Sequence, residues 1–137
     1  MITQTLTTSF KQQLLLAVHD FSVDTFKIAL YTAAADLNAD TTIYTVTGEV
    51  SGIGYTATGK VLTGATVTVS GTTAFVDFDN AVWDPASFTV RGALIYNSSK
   101  SDKSVAVLDF GADKTPTTTF TVQMPTNVAS SALIRLP

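Results

Sequence analysis

Short stretches in which apolar and polar residues alternate recur along most of this chain, and turn-forming residues separate them. In residues 25–31, for example, Phe26, Ile28 and Leu30 fall on one face of an extended chain, as a strand with one buried side requires. Similar stretches bounded by Gly, Asn, Asp, Ser or Pro occupy about 43–50, 60–69, 73–78, 87–96, 104–110, 118–124 and 131–136. Strands at this spacing predict a mainly β, single-domain β-sandwich or jelly-roll-like fold.

The composition supports this fold class. The chain has 137 residues, the length of one domain, and 14% of them are charged, against about 25% in typical soluble proteins. Threonine and serine outnumber the charged residues and therefore supply most of the polar surface. Because threonine is β-branched, it suits half-exposed strand positions.

One segment near the N-terminus has helical periodicity. Ser9 and Gln12 fit a capping box, and an apolar stripe from Phe10 to Phe21 follows at helical spacing, so we predict a helix over about 10–20. Residues 1–8 precede it as an N-terminal arm, and residues 9–137 form the sandwich domain. The arm carries Ile2 and Leu6, which we expect to contact a partner.

Several strands are apolar on both sides. In residues 87–96 the set that includes Phe88 and Tyr96 alternates with a second set that contains Ala93 and Ile95. Such strands must be covered on both faces, either by the second sheet together with the helix or by another subunit. We favour another subunit for at least one of them, which predicts a homo-oligomer.

Charge and composition exclude several functions. The net charge of −3 and the scattered basic residues argue against nucleic-acid and membrane partners. Cysteine is absent, which removes thiol nucleophiles and sulfur ligands. The apolar run of residues 14–18 is too short for a signal sequence or a membrane span, so we expect synthesis in the cytoplasm.

A phosphate-binding motif is almost matched by residues 54–61, which read Gly-Tyr-Thr-Ala-Thr-Gly-Lys-Val. Val61 stands where Ser or Thr would bind Mg²⁺, and the residues that follow do not favour a helix. We predict a glycine-rich loop between strands rather than a nucleotide site.

Other candidate residues also have simpler explanations. His19, the single histidine, is expected to cap the helix or lie on the surface. Asp77, Asp79 and Asn80 lack calcium-loop spacing and suit a turn. Asn97 begins a formal glycosylation sequon that also suits a turn. We therefore assign no catalytic, cofactor-binding or metal-binding residue and predict that the protein is not an enzyme.

An aromatic platform for sugars is an alternative that the sequence leaves open. Trp83, Phe88 and Tyr96 are available to stack on a carbohydrate, with Asp84 beside Trp83 as a polar partner. Aromatic residues at this density more often fill the core of a sandwich. The carbohydrate-binding module therefore remains a lesser alternative.

Four stretches together resemble a family of small structural proteins encoded among the virion genes of tailed bacteriophages. They are Phe26–Thr32, Gly48–Tyr55, Arg91–Asn97 and Val105–Gly111. The resemblance is one of overall pattern through residues 9–136 and carries no catalytic signature.

The resemblance implies a virion part. The favoured role is an accessory capsid protein that cements or decorates the head, with itself and the major capsid protein as partners. The alternative is a tail-associated adaptor, fibre-connecting or baseplate protein. In either role, we expect the arm of residues 1–8 to extend onto the shell or a neighbouring subunit.

Overall fold

Ten β-strands and one α-helix form along the chain in the computed structural model, which describes residues 1–137. In chain order they are β1 (Thr5–Leu6), α1 (Thr8–Leu15), β2 (Phe26–Tyr31), β3 (Lys60–Val61), β4 (Thr66–Ser70), β5 (Thr73–Asp77), β6 (Ala81–Trp83), β7 (Val90–Asn97), β8 (Lys103–Lys114), β9 (Phe120–Val122) and β10 (Ile134–Leu136). A short 3₁₀ helix, Ser98–Lys100, joins β7 to β8. The predicted mainly β sandwich with one short helix is confirmed.

The largest sheet has five antiparallel strands in the order β1-β8-β7-β2-β3. Its centre forms because β2 and β7 carry buried apolar residues on both faces and pair from Phe26–Asn97 to Tyr31–Gly92. Two smaller sheets, β10-β5-β4 and β6-β9, complete the fold. The main core lies between the large sheet and these two smaller sheets.

The main core contains 20 buried residues drawn from every sheet. Phe26 and Ile95 of the large sheet share it with Val76, Trp83 and Ile134 of the smaller ones. Aromatic rings are prominent, and Phe21 stacks on Phe26 with 4.5 Å between ring centroids. Burial of these side chains, at roughly 1.5–3 kcal/mol for each large one, is the main stabilising term of the fold.

The opposite face of the large sheet has a second, smaller core. Leu94 and Tyr96 of β7 pack there against Tyr31, Leu37 and Ile2 of the same chain. Our preference for another subunit over this face is therefore wrong, because the N-terminal residues and the loop after β2 already cover it.

The prediction of a free N-terminal arm over residues 1–8 is also wrong. Ile2 is buried, and the Thr3 N–H donates to the Leu37 carbonyl at 2.9 Å. Leu6 pairs with Ala106 as part of β1 and packs against the main core. Gly92 makes room for Ile2, since a Cβ atom there would approach its side chain to 2.9 Å. The two proposed partner contacts are thus contacts within one chain.

The helix is shorter than predicted and begins earlier. Its N-cap is Thr7, whose Oγ1 accepts the Phe10 N–H at 3.3 Å, whereas Ser9 lies inside the first turn. The helix ends at Leu15, and Ala17 has a positive φ of 58°. Of the apolar residues that continue the helical spacing, Phe21 packs against the core from irregular backbone, whereas Ala17 is exposed.

Several strand limits differ from the predictions; β8, for example, runs to Lys114 rather than to residue 110. Residues 43–50 form only isolated bridges, at Ile43 and Glu49. The predicted strand 60–69 divides into β3 and β4 around Gly64, which has a positive φ of 74°. The strand β6 was not predicted, because three residues are too few to show an alternation.

Candidate interaction surface

The phosphate-motif lookalike lies in the connection between β2 and β3. Its Gly59 has a φ of 83°, and a Cβ atom there would come within 1.9 Å of the Ile28 carbonyl oxygen. Lys60 begins β3 and places its ammonium 5.7 Å from the centre of the Trp83 ring. Gly59 therefore permits a close approach to β2, and the predicted loop between strands is confirmed.

His19 is buried, so our prediction of a capping or surface histidine is wrong. Its Nε2 donates to Gln13 Oε1 at 2.8 Å, and its Nδ1 accepts from Asn97 Nδ2 at 3.0 Å. The same amide nitrogen of Asn97 donates to Asp24, which pairs with Lys100 at 3.3 Å. Desolvation by burial lowers the pKa of His19, although the charge of Asp24 opposes the shift. This hydrogen-bond network connects the end of α1 to the end of β7.

The three side chains considered as calcium ligands bind groups of the chain itself. The Asp79 carboxylate accepts from Thr63 Oγ1 at 3.4 Å. Buried Asp77 accepts the N–H groups of Phe78 and Leu133, and Asn80 accepts that of Met124. Burial raises the pKa of Asp77, against the effect of its two hydrogen bonds. No group of three or more histidine, aspartate or glutamate side chains comes together.

The proposed sugar platform does not form. Trp83 and Phe88 are buried in the main core, where each lies near Phe120 at about 6 Å between ring centroids. Tyr96 is buried in the core on the other side of the large sheet, stacked on Tyr44. The three rings thus belong to two cores and expose no common face.

A feature that the sequence analysis missed is a cluster of all four tyrosines around Glu49. The carboxylate accepts hydrogen bonds from Tyr44 Oη and Tyr55 Oη, each at 2.5 Å, and from the Thr58 N–H at 2.9 Å. Tyr55 Oη in turn accepts the Leu30 N–H of β2. A single carboxylate thereby holds the long connection between β2 and β3 against the large sheet.

The other two tyrosines fasten the same connection by their hydroxyl groups. Tyr31 donates to the Thr45 carbonyl at 2.6 Å, and Tyr96 donates to the Thr58 carbonyl at 2.5 Å. Desolvation raises the pKa of all four tyrosines, and that of Tyr96 reaches about 12. The cluster holds the loop in place. No signal in the sequence brings these residues together, because they come from three separate segments, β2, residues 44–58 and β7.

An open groove of about 880 Å³ lies beside β8 and β9 and contains Phe110 and Phe120 in its lining. The adjacent edge of β8 is closed to a further strand. The Asp109 N–H donates to Gln4 Oε1, and the Gly111 N–H donates to the Asp109 carboxylate. Side chains that bind edge N–H groups in this way protect a sheet from pairing with another chain.

The edge of β4 has no such protection. β4 is the outer strand of the sheet β10-β5-β4, and all five of its residues are exposed. No backbone group of Thr66–Ser70 bonds to a side chain. Residues 61–76 contain no charged residue and no proline, the usual means of protecting an edge.

Apolar side chains continue from the core to this edge. Val67, Val76 and Ile134 form one row across the small sheet, and Val69, Ala74 and Leu136 form the next. Val76 and Ile134 are buried, whereas Val67, Val69 and Leu136 are 58%, 68% and 54% exposed. Beside these rows lies a hollow of about 100 Å³ with entirely apolar walls. The β4 edge and its two valines are the candidate interaction surface.

Comparisons of this chain with protein-family models, curated proteins and solved structures found no match. Among the helices of the structure, none has both the length and the apolar character needed to cross a membrane.

Proposed function

We propose that this chain is a non-enzymatic structural protein of a tailed-bacteriophage virion, where it cements or decorates the head as an accessory capsid protein. The proposal begins from the resemblance of four sequence stretches to small virion proteins. Three of these stretches contain parts of β2, β7 and β8, the centre of the large sheet, and the fourth contains Glu49. The resemblance therefore covers the segments on which this fold depends most.

The observation that carries the proposal is the open β4 edge. A protein that works alone generally blocks its strand edges, as this chain does along β8. Here one uncharged edge is left open beside exposed Val67 and Val69, which suits a chain that joins other chains. Many identical copies then convert weak contacts into firm attachment.

The fold changes the expected mode of attachment. Residues 1–8 supply β1 and part of the second core, so they are not available to reach a neighbouring subunit without unfolding part of the chain. Attachment through the surface of the folded domain replaces the arm model. Partners under this proposal are other copies of the chain and the major capsid protein.

The decisive experiment is a count of this chain per purified particle by quantitative mass spectrometry against the major capsid protein. We expect the number of copies of this chain divided by that of the capsid protein to be a simple fraction. We also expect immunogold label on the head in micrographs. A few copies per particle and label at the tail would support the tail-associated alternative. Absence from purified particles would overturn the virion assignment.

A further inference from the structure

The sequence of β4 is symmetric about its central residue. It reads Thr66-Val67-Thr68-Val69-Ser70, so the polarity pattern is the same in both directions from Thr68. When two such strands lie antiparallel with Thr68 opposite Thr68, each valine faces a valine and each hydroxyl residue faces a hydroxyl residue. The strand is therefore complementary to a second copy of itself.

The hydrogen-bonding groups of the edge have the same symmetry. A two-residue turn, Gly71–Thr72, joins β4 to β5, and Ser70 pairs with Thr73 directly beside it. The pair that flanks such a turn is hydrogen-bonded, and bonded and non-bonded pairs then alternate along the hairpin. The backbone N–H and C=O groups of Val67 and Val69 consequently point to the open edge.

One register satisfies all of these groups. With Thr68 opposite Thr68 of a second copy, Val67 of each copy lies opposite Val69 of the other, and the two pairs exchange four N–H···O=C bonds. Because side chains alternate along a strand, the four valines fall on one face of the joined sheet. That face continues the two apolar rows that run from Val67 to Ile134 and from Val69 to Leu136.

Charge opposes a second copy as the occupant only weakly. The chain carries a net charge of −3, so two copies repel weakly overall. The nearest charged residues along the chain are Lys60 and Asp77, which lie outside the uncharged run of residues 61–76. The Asp77 side chain is buried and bonded within its own chain. No like charges meet across the seam.

We propose that two copies of this chain pair edge to edge through β4, antiparallel about a two-fold axis at Thr68, to form one six-stranded sheet. This inference rests on the proposed function, since it names the contact through which copies of an assembly protein join. Five residues per strand give a seam of about 17 Å at about 3.4 Å per residue. Such a seam is small beside interfaces that bury about 1,600 Å², so a dissociation constant of roughly 0.1–1 mM is expected for the isolated chain.

Sedimentation velocity and amide hydrogen exchange on the full chain test the pairing. Both are measured at protein concentrations from about 10 µM to about 1 mM, because this range spans the expected dissociation constant. We expect the weight-average mass to rise with concentration. Exchange of the Val67 and Val69 amides should become slower as the concentration rises. Exchange of the Thr68 amide should change little, because this amide is already bonded to β5. A monomer throughout this range, or a dimer without protection of these two valines, would overturn the proposal.

A charge-pair experiment tests the register. Thr68→Lys and Thr68→Glu each place like charges directly opposite at the two-fold axis and should weaken self-association about fivefold. An equimolar mixture of the two variants should form a heterodimer tighter than either homodimer by about tenfold. Thr121→Lys, which changes an exposed threonine of another strand, should leave self-association unchanged. Equal association of all these variants would refute the register.

Particle counts separate this inference from the proposed function. If Thr68→Lys is incorporated into particles as fully as the wild type and the wild type is monomeric, the β4 pairing fails while the virion role stands. If the wild type dimerises through β4 but is absent from particles, the virion role fails while the pairing stands. Folding of each variant is confirmed by circular dichroism beforehand.

Discussion

The carboxylate of Glu49 is the point at which a single substitution should have the largest effect outside the apolar cores. It accepts three hydrogen bonds, two from tyrosine hydroxyls and one from the Thr58 N–H, at a half-buried position. These bonds hold residues 44–58, which contain no regular strand. Loss of the acceptor therefore removes three of the hydrogen bonds that hold this segment, while the bonds of Tyr31 to Thr45 and of Tyr96 to Thr58 remain.

The expected cost follows from these contacts. A hydrogen bond to a charged group contributes about 1.5–3 kcal/mol, and water that enters a half-exposed site replaces part of it. We expect Glu49→Ala to lower the free energy of unfolding by about 2–4 kcal/mol. Glu49→Gln should cost about 1–2 kcal/mol, because its amide oxygen can still accept from Tyr55 and Thr58 but without the charge.

Equilibrium urea unfolding of the wild type and of each variant measures these differences. Asp113→Ala is the matched control, since this exposed carboxylate makes no hydrogen bond or ion pair in the structure, and it should change stability by less than about 0.5 kcal/mol. A double-mutant cycle of Glu49→Gln with Tyr55→Phe should give a coupling of about 1 kcal/mol. If Glu49→Ala unfolds within about 0.5 kcal/mol of the wild type, the cluster does not hold the loop.

Two further predictions concern pH. Because burial raises the pKa of Tyr31, Tyr44, Tyr55 and Tyr96 in the folded chain, the unfolded chain loses these protons first as the pH rises above about 10. Stability should therefore fall in that range, and tyrosinate absorbance should appear together with unfolding; a separate titration near pH 10 in the folded state would contradict this. Burial lowers the pKa of His19, so the unfolded chain binds the proton first below about pH 6.5 and stability should fall on acidification. His19→Gln should flatten that part of the urea-measured stability profile, and an unchanged slope would show that His19 does not cause it.

The β-fold class could be predicted because its signals are local. Alternation in residues 26–31 and the turn residues after each strand act over a few positions, and the structure places β2 and most other strands where the pattern predicts them. The helix begins two residues before the predicted start because Thr7 and Ser9 offer similar capping groups. Only Thr7 stands where its hydroxyl also meets Ser104 Oγ, at 2.9 Å, which is a tertiary contact.

For the candidate surface, too, one part of the information is local and another part depends on the tertiary structure. The alternation of Thr and Val in β4 is visible in the sequence, but which edge of which sheet remains open depends on the order of the strands. No local pattern predicts the cluster of four tyrosines around Glu49. Its hydrogen bonds join residues 44–58 to Leu30 and to Tyr96, which are far away in the sequence.

The sequence by itself determined that this chain forms short strands with buried faces, since that information lies in neighbouring residues. Only the tertiary structure decided what covers those faces. Ile2 against Gly92 and His19 against Asn97 join positions more than 70 residues apart. Whether an apolar face meets its own chain or another one depends on the path of the whole chain, and the residue pattern of a strand is the same in both cases.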